Sequence, residues 1–328
     1  MHALVTGAGG FLGRAITRQL LARGDRVRAL ARGHYPDLEA LGVECLRGDV
    51  QELTDVKRAC RGVNVVFHVA AVAGLWGSWH HFHGINTLGT KNIISGCVHG
   101  EVHRLVFTSS PSVTFAGRDQ CGVDESVPYP KTWLCHYAHT KALAEQLVLK
   151  ANGEHHLLTC ALRPHLIWGP GDQHLIPRLL DRARQGQLRQ VGDGKNLIDA
   201  VYIDNAAEAH LLAADRLAPG AALCGKAYFL SNGEPVNCWE FINQVLGLSG
   251  VPPIQRRISI RAAYAVGALL EGLWTLLGRT DEPRMTRFLA AQLATSHYYN
   301  IAAARRDLGY EPRVSMAEGM RRLADDRN

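Results

Sequence analysis

The run Thr6–Gly13, TGAGGFLG, decides the fold. It follows a short apolar run, His2–Thr6 (HALVT). It precedes Phe11–Leu21, where Phe11, Leu12, Ala15, Ile16, Leu20 and Leu21 recur at helical spacing. Gly7, Gly10 and Gly13 therefore form G-x-x-G-x-x-G between a strand and a helix. The alternative spacing, G-x-G-x-x-G from Gly7 and Gly9, fails because Leu12 holds its last position. Glycine serves the same ends in either spacing. The turn is tight, its backbone approaches a pyrophosphate, and the helix packs close to the strand. The helix N-terminus then faces the phosphate charge. Gly7, Gly10, Phe11, Leu12 and Gly13 are the first candidate cofactor contacts.

Outward from this turn, strand and helix signals alternate. Val27–Leu30, Val43–Leu46, Val63–Val69, Arg104–Thr108 and Leu157–Leu162 read as strands, with a helix near Leu53–Cys60. Strands separated by helices imply right-handed βαβ units and a parallel sheet. Their apolar runs are continuous, as in strands covered on both faces. The expected class is α/β, a doubly wound parallel (Rossmann) sheet with a smaller, mostly helical C-terminal substrate lobe. Residues 1–170 and about 199–232 are assigned to the nucleotide-binding domain. About 171–198 and 233–328 are assigned to the lobe.

Composition narrows the class of partner. The 328 residues are 47% apolar and 20% charged, with 36 Lys and Arg against 30 Asp and Glu. That mild excess suits an anionic cofactor or acid. No Lys/Arg block supports nucleic acid. Eight cysteines show no C-x-x-C pair, so reduced thiols, no bound metal and a cytoplasmic location are expected. The chain starts at once with strand and turn, without a signal peptide. Ala262–Gly278 (AAYAVGALLEGLWTLLG) carries one charge, Glu271. It is short for a spanning helix. A helix over a greasy pocket, or peripheral contact with a bilayer, fits it better.

The end of the second strand bears on the cofactor. Ala31 stands where an acid would hold the ribose of NAD, and Arg32 follows. An arginine suits the 2′-phosphate, so NADP(H) is preferred and NAD(H) remains open. A solvated surface arginine is the competing reading. Asp49 and Val50, after the third strand, fall near the adenine. Asp49 is equally suited to capping a turn.

Tyr137-Ala-His-Thr-Lys141 opens a helical stretch, and four-residue spacing puts Tyr137 and Lys141 on one face. Ser110 stands at the carboxyl end of the fifth strand, where open α/β sheets bind ligands. Ser109 and Ser112 are competing hydroxyls.

These stretches resemble a known family. TGAGGFLG, Ala70–Ala71, INTLGTKN around Asn86, FTSSPSV, YAHTK and LRPHLIWGPGD together look like the extended short-chain dehydrogenases/reductases. The resemblance implies catalysis by Ser110, Tyr137 and Lys141, with Asn86 assisting a proton relay. It also implies cofactor contacts at Ala70, Tyr137, Lys141, Pro164 and Ile167. YIDNAAEAH, GKAYFLSNGEP and RRDLGYEPRVSMAEG resemble the 3β-hydroxysteroid dehydrogenase-like branch. Within it, the match is to bacterial enzymes that use NADPH to reduce the 3-ketone of branched long-chain acids in olefin biosynthesis. A homodimer, and assembly with other enzymes of that pathway, come with the resemblance.

The chemistry fits those roles. Tyr137 supplies a proton to the ketone oxygen as hydride arrives, with Lys141 favouring tyrosinate. Ser110 hydrogen-bonds the developing oxyanion. Trp76, Trp79, Phe82, Phe115 and Ala262–Gly278 are candidate walls for a lipid-like ketone or alcohol, or ordinary packing. His165, His174 and Arg178 are candidates for a substrate carboxylate. A sterol dehydrogenase is the main alternative, followed by a nucleotide-sugar epimerase and a non-catalytic dinucleotide sensor.

Overall fold

The computed structural model describes residues 1–326. Seven parallel strands form the central sheet. They are β1 His2–Thr6, β2 Arg26–Ala31, β3 Glu44–Arg47, β4 Val65–His68, β5 Arg104–Thr108, β6 Leu158–Pro164 and β7 Lys226–Leu230. Their spatial order is β7-β6-β5-β4-β1-β2-β3. The order reverses between β1 and β4, which opens a crevice at their carboxyl ends.

Alternation along each strand explains the continuous apolar runs. Ala3 and Val5 of β1 enter one core while Leu4 enters the other. Val65 and Phe67 of β4 oppose Val66 in the same way. In β5, Val106 faces one core and Leu105 and Phe107 the other. Each face is covered by helices, so successive residues are buried whichever way they point.

The remainder departs from the expected division. The lobe has its own four-stranded sheet, built from Val236–Asn237, Leu197–Ile198, His297–Tyr299 and Gln120–Val123. Gln120–Val123 lies within the first 170 residues yet pairs with His297–Tyr299. At the other end, residues beyond 301 return to the main domain. Tyr228 donates to Asp307 at 2.8 Å, and Tyr310 donates to the carbonyl of Ser231 at 3.0 Å. Asn205 receives the backbone N–H groups of Arg313 and Val314, both at 3.0 Å. Two segments thus pair across the expected division: Gln120–Val123 joins the lobe's sheet, and residues 307–314 hydrogen-bond to elements of the main domain.

Candidate active site

Glycine is obligatory at two points of the first turn. Gly7 has φ +71°, and a Cβ there would lie 2.9 Å from backbone atoms of Ala70. A Cβ on Gly13 would fall 2.1 Å from the carbonyl oxygen of Gly7. The turn is closed by Gly10 donating to Gly7 at 2.9 Å. Helix Phe11–Ala22 follows, with no acid in its first turn and no side chain on its first amides. Those amides are left for an anion.

A cleft of about 710 Å³ runs along the carboxyl edge of the sheet. Every residue expected to touch the cofactor lines it. Gly7, Gly10, Phe11, Leu12 and Gly13 form its floor, and Arg32, Asp49 and Val50 lie at one end. Ala70, Tyr137, Lys141, Pro164 and Ile167 lie along the rest, together with Ser110. Asp49 lines the cleft and also caps a turn, accepting the N–H of Gln51 at 2.9 Å. Tyr35 also lines it, a residue the sequence did not single out. Its ring lies against Gly9 and Gly33 with the Arg14 guanidinium 5.6 Å from its centre.

The hydroxyls after β5 sort by their partners. Ser110 starts the short 3₁₀ turn Pro111–Thr114 and accepts from Ser112 twice, at 3.2 Å (N–H) and 2.9 Å (hydroxyl). Its own proton is thereby free to point into the cleft. Ser112 has committed its proton to Ser110. Ser109 is buried in the cleft wall, and its hydroxyl has no partner among the described residues.

Tyr137 and Lys141 lie on the first turns of helix His136–Lys150. Burial raises the Tyr137 pKa above its ordinary value, while the Ser110 hydroxyl acts against it. Lys141 is 2% exposed. Its ammonium donates to the Thr108 carbonyl at 2.5 Å and sits 4.1 Å from the centre of the Phe107 ring. Burial lowers its pKa from 10.5 to about 7, with the buried Glu145 carboxylate opposing. Lys141 is thus poised near neutrality, on a carbonyl beside the cleft.

Asn86, expected to assist a proton relay, has its side chain engaged in hydrogen bonds to Val72 and Thr140. It sits in a π-helical turn, His83–Leu88, and is 1% exposed. Its amide oxygen accepts the N–H of Val72 at 2.8 Å, and its amide nitrogen donates to Val72 and to Thr140 at 3.3 and 3.2 Å. It ties the loop after β4 to the catalytic helix, and it does not line the cleft.

A buried chain that sequence reading missed continues this linkage. Thr90 donates to the Asn86 carbonyl at 2.6 Å, so His68 must donate to Thr90 through Nε2, at 3.0 Å. Thr6 then donates to His68 Nδ1 at 2.8 Å, while its oxygen accepts the N–H groups of Val69 and Ala70, each at 3.2 Å. His68 is held neutral, its pKa lowered to about 3 by burial and then by Lys141. A histidine closing the apolar run VVFH was the available signal.

A second cavity of about 1360 Å³ flanks the catalytic helix. Trp76, Trp79 and Phe82 line it as expected, opposite helix Ile260–Leu276. Trp133 stacks on His139 at 5.0 Å, and Trp79 contacts the same ring at 4.9 Å. Phe115 takes the packing alternative, set in the core against Phe288 and Ala291. Two carboxylate candidates are corrected as well. His165 is buried, paired with Asp199 at 2.7 Å and with His297 at 3.1 Å. Arg178 is ion-paired with Glu282. His174 lines the dinucleotide cleft instead.

The residues fit a nicotinamide dinucleotide. They offer open helix amides, a glycine cradle with no room for a Cβ, and the orphaned Ser109 hydroxyl. Fold and site together define an oxidoreductase of the short-chain dehydrogenase/reductase type. The chain belongs to the 3-beta hydroxysteroid dehydrogenase/isomerase family, whose model matches residues 4–259. It is 53% identical over 326 residues to a 2-alkyl-3-oxoalkanoate reductase of Stenotrophomonas maltophilia (strain K279a), covering 98% of each chain. It is 50% identical to the enzyme of the same name from Shewanella oneidensis, over 98% of this chain and 85% of that one. Among solved structures it resembles MoeE5 in complex with UDP-glucose and NAD, with a TM-score of 0.75, 26% identity, and 99% and 98% of the two chains covered.

Proposed function

We propose that the protein reduces the 3-ketone of a long-chain 2-alkyl-3-oxoalkanoate to the 2-alkyl-3-hydroxyalkanoate, with NADPH preferred, in long-chain olefin biosynthesis. A bound nicotinamide supplies the hydride. Tyr137 delivers the proton to the ketone oxygen, and Ser110 steadies that oxygen with the proton its neighbours leave free. Lys141, when charged, stabilises the tyrosinate left behind.

The carrying observation is the wide aromatic cavity beside Tyr137. Its wall includes His136 and His139, the neighbours of Tyr137 on the first helical turn. Its volume of about 1360 Å³ suits a long branched chain. Arg287 lines it and gives Nε to Glu271 at 2.5 Å, leaving its two terminal nitrogens for a carboxylate. A sugar nucleotide is disfavoured, because Asp281 holds Arg279 through two hydrogen bonds, which leaves Arg287, among the described residues, as the one arginine of this cavity with both terminal nitrogens free, too few for two phosphates. NADPH preference is supported by Arg32, exposed at the cleft with no ion pair among the described residues.

The test is a turnover assay with NADPH against a long-chain 2-alkyl-3-oxo acid and a 3-oxosteroid in parallel. Reduction of the oxo acid is expected. Turnover of the steroid alone would overturn the reading in favour of a sterol dehydrogenase, the substrate class in the family's name.

A further inference from the structure

Helix Ile260–Leu276 is apolar on the side that faces away from the protein. Of the eleven most exposed large apolar side chains among the described residues, seven lie between Ile260 and Leu277. Val266, Leu269, Leu273, Leu276 and Leu277 follow the i, i+3, i+4 rule, so they form one stripe. Leu269 is 71% and Leu276 83% exposed. The packed side of the helix is made of small residues instead. Ala263 and Gly267 are buried there, and Glu271 turns inward to take the N–H and Nε of Arg287 at 2.7 and 2.5 Å. The usual amphipathic order is inverted: the helix's one acid points in and its leucines point out.

The N-terminal flank is cationic. Arg256, Arg257 and Arg261 are exposed at the N-terminal end and form no ion pair among the described residues. Asp193 shares a groove with Arg257 and Arg261, leaving the patch net positive. Helix Ile260–Leu276 is not long and apolar enough to cross a membrane.

From the outward leucine stripe and the arginines at its end we infer that this helix lies in the interface of an anionic lipid bilayer. Apolar area enters the acyl boundary while arginine meets the headgroup phosphates. Leu276 belongs to the stripe and also lines the aromatic cavity. The mouth of that cavity therefore opens at the bilayer surface, where a poorly soluble ketone resides. That last step rests on the proposed function; the docking surface does not.

Vesicle co-sedimentation without substrate tests the surface alone. Wild-type protein is expected to pellet with vesicles of phosphatidylcholine and phosphatidylglycerol. The double variant Leu269→Glu/Leu273→Glu, whose residues do not line the cavity, should bind about tenfold less or weaker. Leu41→Glu, at a distant exposed leucine, should change nothing. Arg257→Ser/Arg261→Ser should remove most of the preference over pure phosphatidylcholine. Unchanged melting temperature and dinucleotide binding show that the variants are folded. Equal pelleting of wild type and the double leucine variant would overturn the inference. So would a wild-type oligomer that this variant dissociates while neither pellets, which would make the stripe a contact between copies.

Discussion

Lys141 donates its ammonium to the main-chain carbonyl of Thr108 at 2.5 Å, one turn along the helix from Tyr137. Its folded pKa of about 7 lies below the ordinary 10.5. Reduction needs the charged form beside the tyrosinate. In the free enzyme kcat/KM for ketone reduction should be level at low pH and fall about tenfold per unit above pH 7. A profile flat from pH 6 to pH 9 would remove Lys141 from the titrating role.

The same depression has a stability sign. Between about pH 7 and 10.5 the unfolded chain binds more protons at this lysine than the folded one, so stability rises with pH across that window. Below about pH 7 the whole cost of burying the ammonium is present. Lys141→Met, lacking cofactor, should be more stable than wild type at pH 6 by up to about 5 kcal/mol, less the lost bond to Thr108. The gap should close toward pH 10. Urea titrations at pH 6, 8 and 10 measure it.

Tyr137→Phe removes the proton donor and leaves the ring. Turnover should fall by roughly 10²- to 10⁴-fold, with dinucleotide affinity nearly unchanged. Retained turnover would point to Ser109, the unpartnered hydroxyl in the same cleft.

Six of the seven strands of the main sheet were legible, most clearly the central ones, which are buried on both faces and so stand out as apolar runs. Arg104–Thr108 falls where the sequence put it at both ends. The lobe's sheet was not, because strands such as Leu197–Ile198 and Val236–Asn237 are two residues long and carry no periodicity. In the site, the glycine turn and Tyr137–Lys141 are local patterns and were readable. Partnership is not local. Nothing in the sequence said that His165 is taken by Asp199, that Arg178 is taken by Glu282, or that Asn86 spends its amide on Val72 and Thr140.

Asn86 therefore gives a prediction of its own. Asn86→Ala removes the acceptor of the half-buried Val72 N–H, which costs about 1 kcal/mol. Because the tie to Thr140 also goes, kcat should fall more than dinucleotide affinity. Equal losses in both would show that the linkage supports the cofactor cleft as a whole.

Gly267 packs the apolar helix directly against the backbone of its neighbour. A Cβ there would lie 2.6 Å from the backbone carbon of Thr286 and 2.8 Å from the nitrogen of Arg287, and neither is a side-chain end that can swing away. Gly267→Ala must push helix Ile260–Leu276 off helix Arg287–Ala294, at a cost of about 1–3 kcal/mol. That movement loosens the Glu271–Arg287 pair and the wall that Gly272 and Thr275 give to the aromatic cavity. The dinucleotide cleft takes no residue from this helix. Gly267→Ala should therefore raise KM for a long-chain ketone while leaving dinucleotide affinity unchanged. An unchanged KM for the long chain would separate this helix from the substrate cavity.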